Sequence, residues 1–310
     1  MSSSLAHLHA RHDHRLRGIT YRFGAVFCFA IMAGGVKLAA DRGVSTIELI
    51  FYRNLFSLPV ILLWLALGPG FGAIRTKRPR AHLSRAAVGL VSMLFNFQAL
   101  VMLPLAEATT IGFAAPLFAT ILSALVLSER VGPHRWAAVA LGFAGVLVVM
   151  QPGRAVLPLD GLAVAVIAAF GVASVVITIR QIGATEQAAT TVFWFNIASL
   201  VVVSLPMPWF AHAHSPAVFG ILLVLGVAGG IAQILMTASL RYAPVAVLAP
   251  FDYFQLLWAT AIGWLLWATA PSPATLAGGL LIAASGIYTG YREHHLHRRA
   301  IAAMSTPPQL

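Results

Sequence analysis

Apolar runs of about 20 residues, each closed by Gly, Pro or a cluster of charge, follow one another from residue 19 to residue 291. That length matches the roughly 20 residues an α-helix needs to cross the hydrocarbon of a bilayer. The runs predict ten spanning helices, at about 19–40, 46–67, 83–103, 107–127, 133–151, 160–180, 187–208, 216–239, 244–267 and 273–291. Helix breakers stand at the joints, in Gly68-Pro69-Gly70, Gly132-Pro133, Gln151-Pro152-Gly153, Ser215-Pro216 and Pro271-Ser272-Pro273. Trp64, Trp136, Trp209 and Trp267 fall near helix ends, where amphipathic rings favour the membrane–water interface. The expected fold class is an all-α polytopic membrane protein.

The stretch from Ala99 to Gly145 recurs, without a gap, about 140 residues later. Leu100 meets Leu240, Pro104 meets Pro244, Ala106 meets Ala246, Ala119-Thr120 meets Ala259-Thr260, and Pro133 meets Pro273. Upstream, Phe51, Asn54, Ser57 and Leu58 meet Phe193, Asn196, Ser199 and Leu200. An offset of nearly half the chain, held over two stretches, signals an internal duplication. Ten helices then divide into two fives. An odd repeat makes the second copy enter the membrane upside down, the inverted-topology architecture of secondary transporters.

Of the 310 residues, 59% are hydrophobic and 9% charged, which excludes an ordinary soluble domain. A single cysteine, Cys28, excludes a disulfide framework and Cys-based metal sites. The first apolar run is too long for a signal-peptide core and reads as a retained helix. A net charge of +11 could point to nucleic acid, but its distribution points to topology instead. Arg11, Arg15, Arg17 and Arg22 precede or open the first helix. Arg75, Lys77, Arg78, Arg80 and Arg85 surround the second connection. Arg130, Arg135, Arg180 and Arg241 lie in later even connections, and Arg292, Arg298 and Arg299 follow the last helix. The alternate connections hold only Arg42 and Arg154, so the positive-inside rule puts both termini in the cytoplasm. The expected organisation is a disordered cytoplasmic tail over 1–18, five-helix repeats over 19–151 and 152–291, and a cytoplasmic tail over 292–310. His7, His9, His12 and His14 read as part of a solvated tail rather than a metal site.

Polar groups inside spanning helices are costly and need a partner or a cavity. Lys37, Arg53 and Asp252 are the ionisable ones, accompanied by Asn96, Gln98, Thr110, Tyr253, Gln255 and Trp258. Arg53 suits bidentate capture of a carboxylate or phosphate, or a structural pair with Glu48 or Asp252. Asp252 suits a substrate amine or a proton, with Trp258 one to two turns away on the same face. Lys37 either reaches the outer surface, pairs with Glu48, or gates. Glu129, beside Arg130 at the inner end of the fourth helix, suits a gate ion pair or an interfacial one. The repeat mates Asn54 and Asn196 suit a tie between helices.

These residues resemble the drug/metabolite transporter superfamily, in particular its EamA-type members. The features are Glu48 and Arg53 on the second helix, Ala106 followed by Pro116-Leu117-Phe118, Leu127-Ser128-Glu129-Arg130, Gly142 to Gly145, Tyr242-Ala243-Pro244, and Ala249-Pro250-Phe251-Asp252-Tyr253. One departure is Thr269, standing where the family's second-half glutamate is expected. The resemblance covers residues 20 to 290 and implies a ten-helix 5+5 carrier of small organic solutes in a bacterial inner membrane. It implies no cofactor and no nucleic-acid partner, and a monomer or homodimer in lipid. Family substrates include amino acids, nucleobases, riboflavin, S-adenosylmethionine, metallophores and drugs.

The function expected is secondary active transport of a small polar or amphiphilic metabolite, with export placed ahead of uptake. Arg53 and Asp252 would then offer opposite charges to a zwitterionic or amphiphilic solute. Uptake of a cofactor-like solute is the alternative, and a channel or non-transporting scaffold the reading from another class. No loop is long enough for a catalytic domain and no His-Glu-x-x-His motif lies in the spans, so an enzyme is not expected.

Overall fold

Hydrocarbon offers backbone N–H and C=O groups no partner, so a chain crossing it must satisfy them within each segment. The computed structural model describes residues 2–126, 132–151, 157–183, 185–242, 248 and 251–305, and these form helices and turns with no strand. The helices are α1 (Ser2–Ala40), α2 (Thr46–Leu67), α3 (Pro79–Met102), α4 (Leu105–Gly112), α5 (Ala115–Val126) and α6 (Pro133–Met150). They continue with α7 (Leu159–Gly183), α8 (Ala188–Ser204), the single turn α9 (Met207–Phe210), α10 (Pro216–Tyr242), α11 (Phe254–Trp267) and α12 (Pro273–Ser305). A 3₁₀ turn, Phe71–Ile74, joins α2 to α3.

Among the described residues, six stretches are long and apolar enough to cross a membrane: Leu16–Ala40, Thr46–Leu67, Pro79–Met102, Leu105–Val126, Leu159–Ile179 and Pro216–Ser239. Four shorter apolar helices accompany them: Trp136–Met150, Ala188–Ser204, Phe254–Trp267 and Pro273–Tyr288. Large apolar side chains such as Leu63, Leu125, Leu265 and Leu280 point outward. In water that would be a liability; in a bilayer it is the lipid-facing surface. The protein is therefore a multi-pass membrane protein.

Two expectations change. The tail 1–18, expected to be disordered, is helical from Ser2 and runs unbroken into the first span. No proline interrupts it and the first glycine is Gly18, so nothing local stops the helix. The fourth helix, expected as one piece, breaks at Phe113 and Ala114. Pro116 explains this: it has no N–H to give the carbonyl of Gly112, and its ring collides with that group. The turn closes instead through Ala114 N–H to the Ile111 carbonyl at 2.9 Å. The ninth segment has a turn at Tyr253, between helical Phe251-Asp252 and α11.

The 140-residue offset pairs the helices of the two halves. The counterpart of α1 is α7, of α2 is α8, of α3 is α10, of α4 and α5 is the segment ending in α11, and of α6 is α12. α1 lies along α10, as α3 lies along α7; α2 meets α10, as α8 meets α3; α5 meets α7, as α11 meets α1. The pairs α2 with α8 and α6 with α12 map onto themselves. The last of these is a backbone contact: a Cβ on Gly145 would stand 2.7 Å from the Gly278 carbonyl oxygen. Close approach through glycine is how helices gain dispersion contacts where no hydrophobic drive separates them from lipid.

Polar ties gather at the two ends of the bundle. At one end, Thr190 donates to the Ala73 carbonyl at 2.6 Å, Trp194 to Ile74 at 2.9 Å, and Thr76 to Glu186 Oε1 at 2.9 Å. His82 Nε2 stands 3.5 Å from Glu186 Oε2. At the other end, Glu48 accepts from the Ser45 amide at 2.9 Å and the His212 amide at 3.0 Å, and meets His214 at 2.8 Å. There Trp267 also donates to Asp41 at 2.6 Å, and Thr275 to Glu107 at 3.1 Å.

Two outcomes follow from this packing. Replacing Gly145 by Leu should lower stability by about 1–3 kcal/mol through forced separation of α6 and α12. Gly220→Ala, with no atom within 4 Å of the new Cβ, should raise it by roughly 0.5–1 kcal/mol. Thermal melts in detergent check both. The Glu186 carboxyl is raised by burial but lowered more by its hydrogen bonds from Thr76 and His82, which leaves it below its ordinary 4.5. A lowered carboxyl stabilises the fold above its unfolded value and loses that contribution as pH falls through its folded one. Melting temperature should thus drop as pH falls below the ordinary carboxylate range, and drop less in Glu186→Gln.

Candidate functional site

The two helix breaks face each other. The rings of Phe113 and Tyr253, exchanged by the 140-residue offset, lie 5.1 Å apart at centroids. Broken helices are tolerated at depth only where protein covers the freed backbone groups, and transporters place such breaks at their solute sites.

Next to the second break, Arg22 of α1 holds Asp252 through two parallel hydrogen bonds, Nε to Oδ1 at 2.5 Å and Nη2 to Oδ2 at 2.6 Å. The third guanidinium nitrogen, Nη1, is buried without a partner. Trp258 sits between Phe23 and Phe27 of α1, with centroids 5.9 and 4.8 Å away, and its indole N–H is buried and unpartnered. Asp252, Tyr253 and Trp258 thus form one group, with Arg22 and the first helix as its wall.

Arg53 belongs to a second group. It is buried in α2, donating from Nη1 to Asn54 Oδ1 at 3.0 Å. Asn196 of α8 donates to Asn54 Oδ1 at 3.3 Å and to Ser57 Oγ at 2.6 Å, so the asparagine repeat mates do tie α2 to α8. Gly229 of α10 leaves the room: a Cβ there would meet Met32 Sδ at 2.9 Å and Arg53 Nε at 3.2 Å. Arg85 of α3 joins the group, its Cζ 4.5 Å from the Phe195 ring centroid, with Arg53 at 6.0 Å from the same ring.

The two groups lie at different levels. Arg53 neighbours α1 at Met32, whereas Asp252 is held at Arg22, ten residues away and on the order of 15 Å along the helix. The partner of Asp252 is Arg22 rather than Arg53, and Glu48 is held by Ser45, His212 and His214 rather than by Arg53 or Lys37. Lys37 caps the C-terminal end of α3, donating to the carbonyls of Leu103 at 2.9 Å and Leu100 at 3.3 Å. That is a favourable end for a cation. Beside it, Leu103, Pro104, Trp267 and Thr269 complete a cleft of about 240 Å³.

The remaining candidates are dispersed. Gln98 accepts from Thr46 at 2.7 Å, near the Glu48 end. Thr110 turns its hydroxyl back onto the Ala106 carbonyl at 2.7 Å and is fully buried. Asn96 on α3 and Gln255 at the start of α11 are partly buried. Glu129 lies outside the described residues.

A family model described as the EamA-like transporter family matches residues 16–151 and again 159–290. The chain belongs to the EamA-like transporter family. Among its EamA relatives, the pseudopaline exporter of Pseudomonas aeruginosa is 27% identical over 271 residues, covering 86% of this chain and 93% of that protein. The riboflavin transporter of Rhizobium johnstonii is 27% identical, covering 85% and 86%. The S-adenosylmethionine uptake transporter of Rickettsia prowazekii is 26% identical, covering 79% and 83%. A crystal structure 21% identical in sequence superposes with a TM-score of 0.62, over 89% of this chain and 98% of that one, and shows the same fold. This EamA protein is accordingly a transporter of small metabolites, and the names of its relatives are those of transporters rather than enzymes.

Arg22 and Arg85 were read from sequence as interfacial charges; the structure buries both. The signal for Arg85 was Pro79, a favoured first residue of a helix. A start at Pro79 rather than at 83 carries Arg85 on the order of 9 Å into the bundle.

Breaking a buried ion pair costs about 3–5 kcal/mol and an exposed one at most about 1. The Asp252 side chain is 34% exposed, so Asp252→Asn should fall between these limits. The double variant Arg22→Gln with Asp252→Asn should lose less than the sum of the single changes, read by melting in a double-mutant cycle.

Proposed function

We propose that this protein is a secondary active transporter of ten spans in two inverted five-helix halves, both termini cytoplasmic, in a bacterial inner membrane. It moves a small polar or amphiphilic organic metabolite by alternating access, with export ahead of uptake. The observation that carries this reading is the meeting of Phe113 and Tyr253, repeat-related breaks in two helices. The main helix contacts, α1 with α10 and α3 with α7 among them, trade places when the halves are exchanged, which supports it, since each conformation of such a molecule has a mirror in topology. The connection holding Arg75, Lys77 and Arg78 shares one end of the bundle with the Thr76, His82 and Glu186 ties, the Glu48 and Trp267 ties the other, which supports the positive-inside assignment.

In this mechanism the Arg22–Asp252 pair closes α1 onto the second break at the inner side. Opening that side requires the pair to part, and a proton offered to Asp252 would assist. The pseudopaline exporter supports efflux; the riboflavin and S-adenosylmethionine relatives support the uptake reading.

The test is flux of a radiolabelled metabolite panel in everted and right-side-out vesicles, with and without a proton gradient. Saturable flux of one compound, lost in Arg53→Ala, is the expected result. Flux unchanged in Arg53→Ala removes that residue from the path, and flux that never saturates points to a channel. In Asp252→Asn the pH dependence of transport should flatten; an unaltered profile would exclude Asp252 from coupling.

A further inference from the structure

Three arginines are buried among the described residues of the bundle, and their surroundings differ. Arg22 has a carboxylate. Arg53 and Arg85, 5% and 4% exposed, take part in no described ion pair. Arg53 makes one described hydrogen bond, to Asn54. Arg85 has Nε and Nη1 buried with no acceptor. Both guanidinium carbons lie against one ring, that of Phe195, so the two charges are no more than about 10.5 Å apart. Asn196 Oδ1 and Ser199 Oγ, from the same α8, are also buried without partners.

Two like charges beside one ring repel each other, and one hydrogen bond and the ring face offset only part of what they lose on leaving water; a partner of opposite sign would supply the rest. A guanidinium fork presents paired N–H groups that match a carboxylate or a phosphate. The surrounding surfaces admit the arginines by omission of side chains: Gly89 of α3 faces Arg85 Nη1 and the Phe195 ring, and Gly229 faces Arg53 Nε.

We propose that Arg53 and Arg85 together receive the anionic group, a carboxylate or phosphate, of the transported solute, whose apolar part packs on Phe195. This deepens the transport reading by naming the substrate class as organic anions, and rests on it for the word transported. The pair is enclosed by α2, α3, α8 and α10 rather than turned to the lipid side, which favours a water-soluble acid over a lipid headgroup.

The test is thermal melting of the full chain in detergent and chloride-free buffer. The probes are adipate, 3-phenylpropionate and phenyl phosphate, set against the uncharged adipamide and 3-phenylpropionamide. At least one acid at saturation should raise the melting temperature by roughly several degrees while the amides do not. The shift should vanish in Arg53→Gln and Arg85→Gln, weaken in Arg85→Lys, and persist in Arg75→Gln, which removes an exposed charge. If the glutamine variants fail to fold, the acid and amide comparison in the unaltered protein and the Arg85→Lys result still decide. Equal shifts from acid and amide, no shift from any acid, or a shift surviving in both glutamine variants overturns the proposal. So does phosphatidylglycerol that gives the shift and displaces the acids, because the pair is then a lipid site. Vesicle flux separates the two readings. Anion binding without flux of any bound acid removes transport and leaves the pair an anion site. Flux of a neutral or cationic solute, unaffected by the acids, removes the pair and leaves transport.

Discussion

Nothing in hydrocarbon will solvate a charge or a free carbonyl, so both can exist at depth only where helices cover them. That constraint orders this molecule. Its outward surface is Leu, Val, Phe and Trp; its irregular backbone, at Phe113 and Tyr253, is turned inward and closed by two rings in contact. Its buried cations lie between helices, Arg53 and Arg85 each beside a glycine that leaves it room. The cost of an uncompensated buried ion is several kcal/mol, comparable with the whole stability of many proteins.

The packing plan gives the proposed alternation a mechanical form. Contacts that map onto themselves when the halves exchange, α2 with α8 and α6 with α12, lie on the axis and need not change between conformations. One is a polar knot of Asn54, Ser57 and Asn196; the other is a glycine contact of backbone on backbone. Contacts that change places, α1 with α10 against α3 with α7, are those a rocking motion would trade. The Arg22–Asp252 pair hangs on α1, one of the elements that would move.

Spacing and composition carried most of the frame. The apolar runs located α2, α3, α6, α7, α8 and α10 to within a few residues at each end but missed the N-terminal extension of α1, the C-terminal extension of α12 and the late start of α11, and the 140-residue offset anticipated the Asn54–Asn196 tie. They did not show the break at Phe113, although Pro116 encodes it: the apolar run through Ile111 to Leu125 hides a lesion that costs one hydrogen bond and leaves hydropathy untouched. The partners of the buried charges were least legible. Arg22 and Asp252 are 230 residues apart, and only the docking of α1 against the start of the ninth segment makes them neighbours. A positive-inside count cannot tell Arg85 from Arg80, since both fall in one basic cluster; the helix start at Pro79 separates them.

Relatives at 26–27% identity carry solutes as unlike as riboflavin and S-adenosylmethionine, so the frame they share does not choose the cargo. Choice must lie in a few interior side chains, and charge is the coarsest discriminator available there. A neutral interior of paired ions accepts a neutral or zwitterionic solute with little penalty. On the anion proposal, an interior holding Arg22 with Asp252, plus Arg53 and Arg85 with no carboxylate among the described residues, favours an acid instead. A cation entering it meets two guanidiniums in low dielectric, while an anion relieves their mutual repulsion and supplies acceptors to Arg85 nitrogens that have none. Discrimination of this kind needs no shape complementarity.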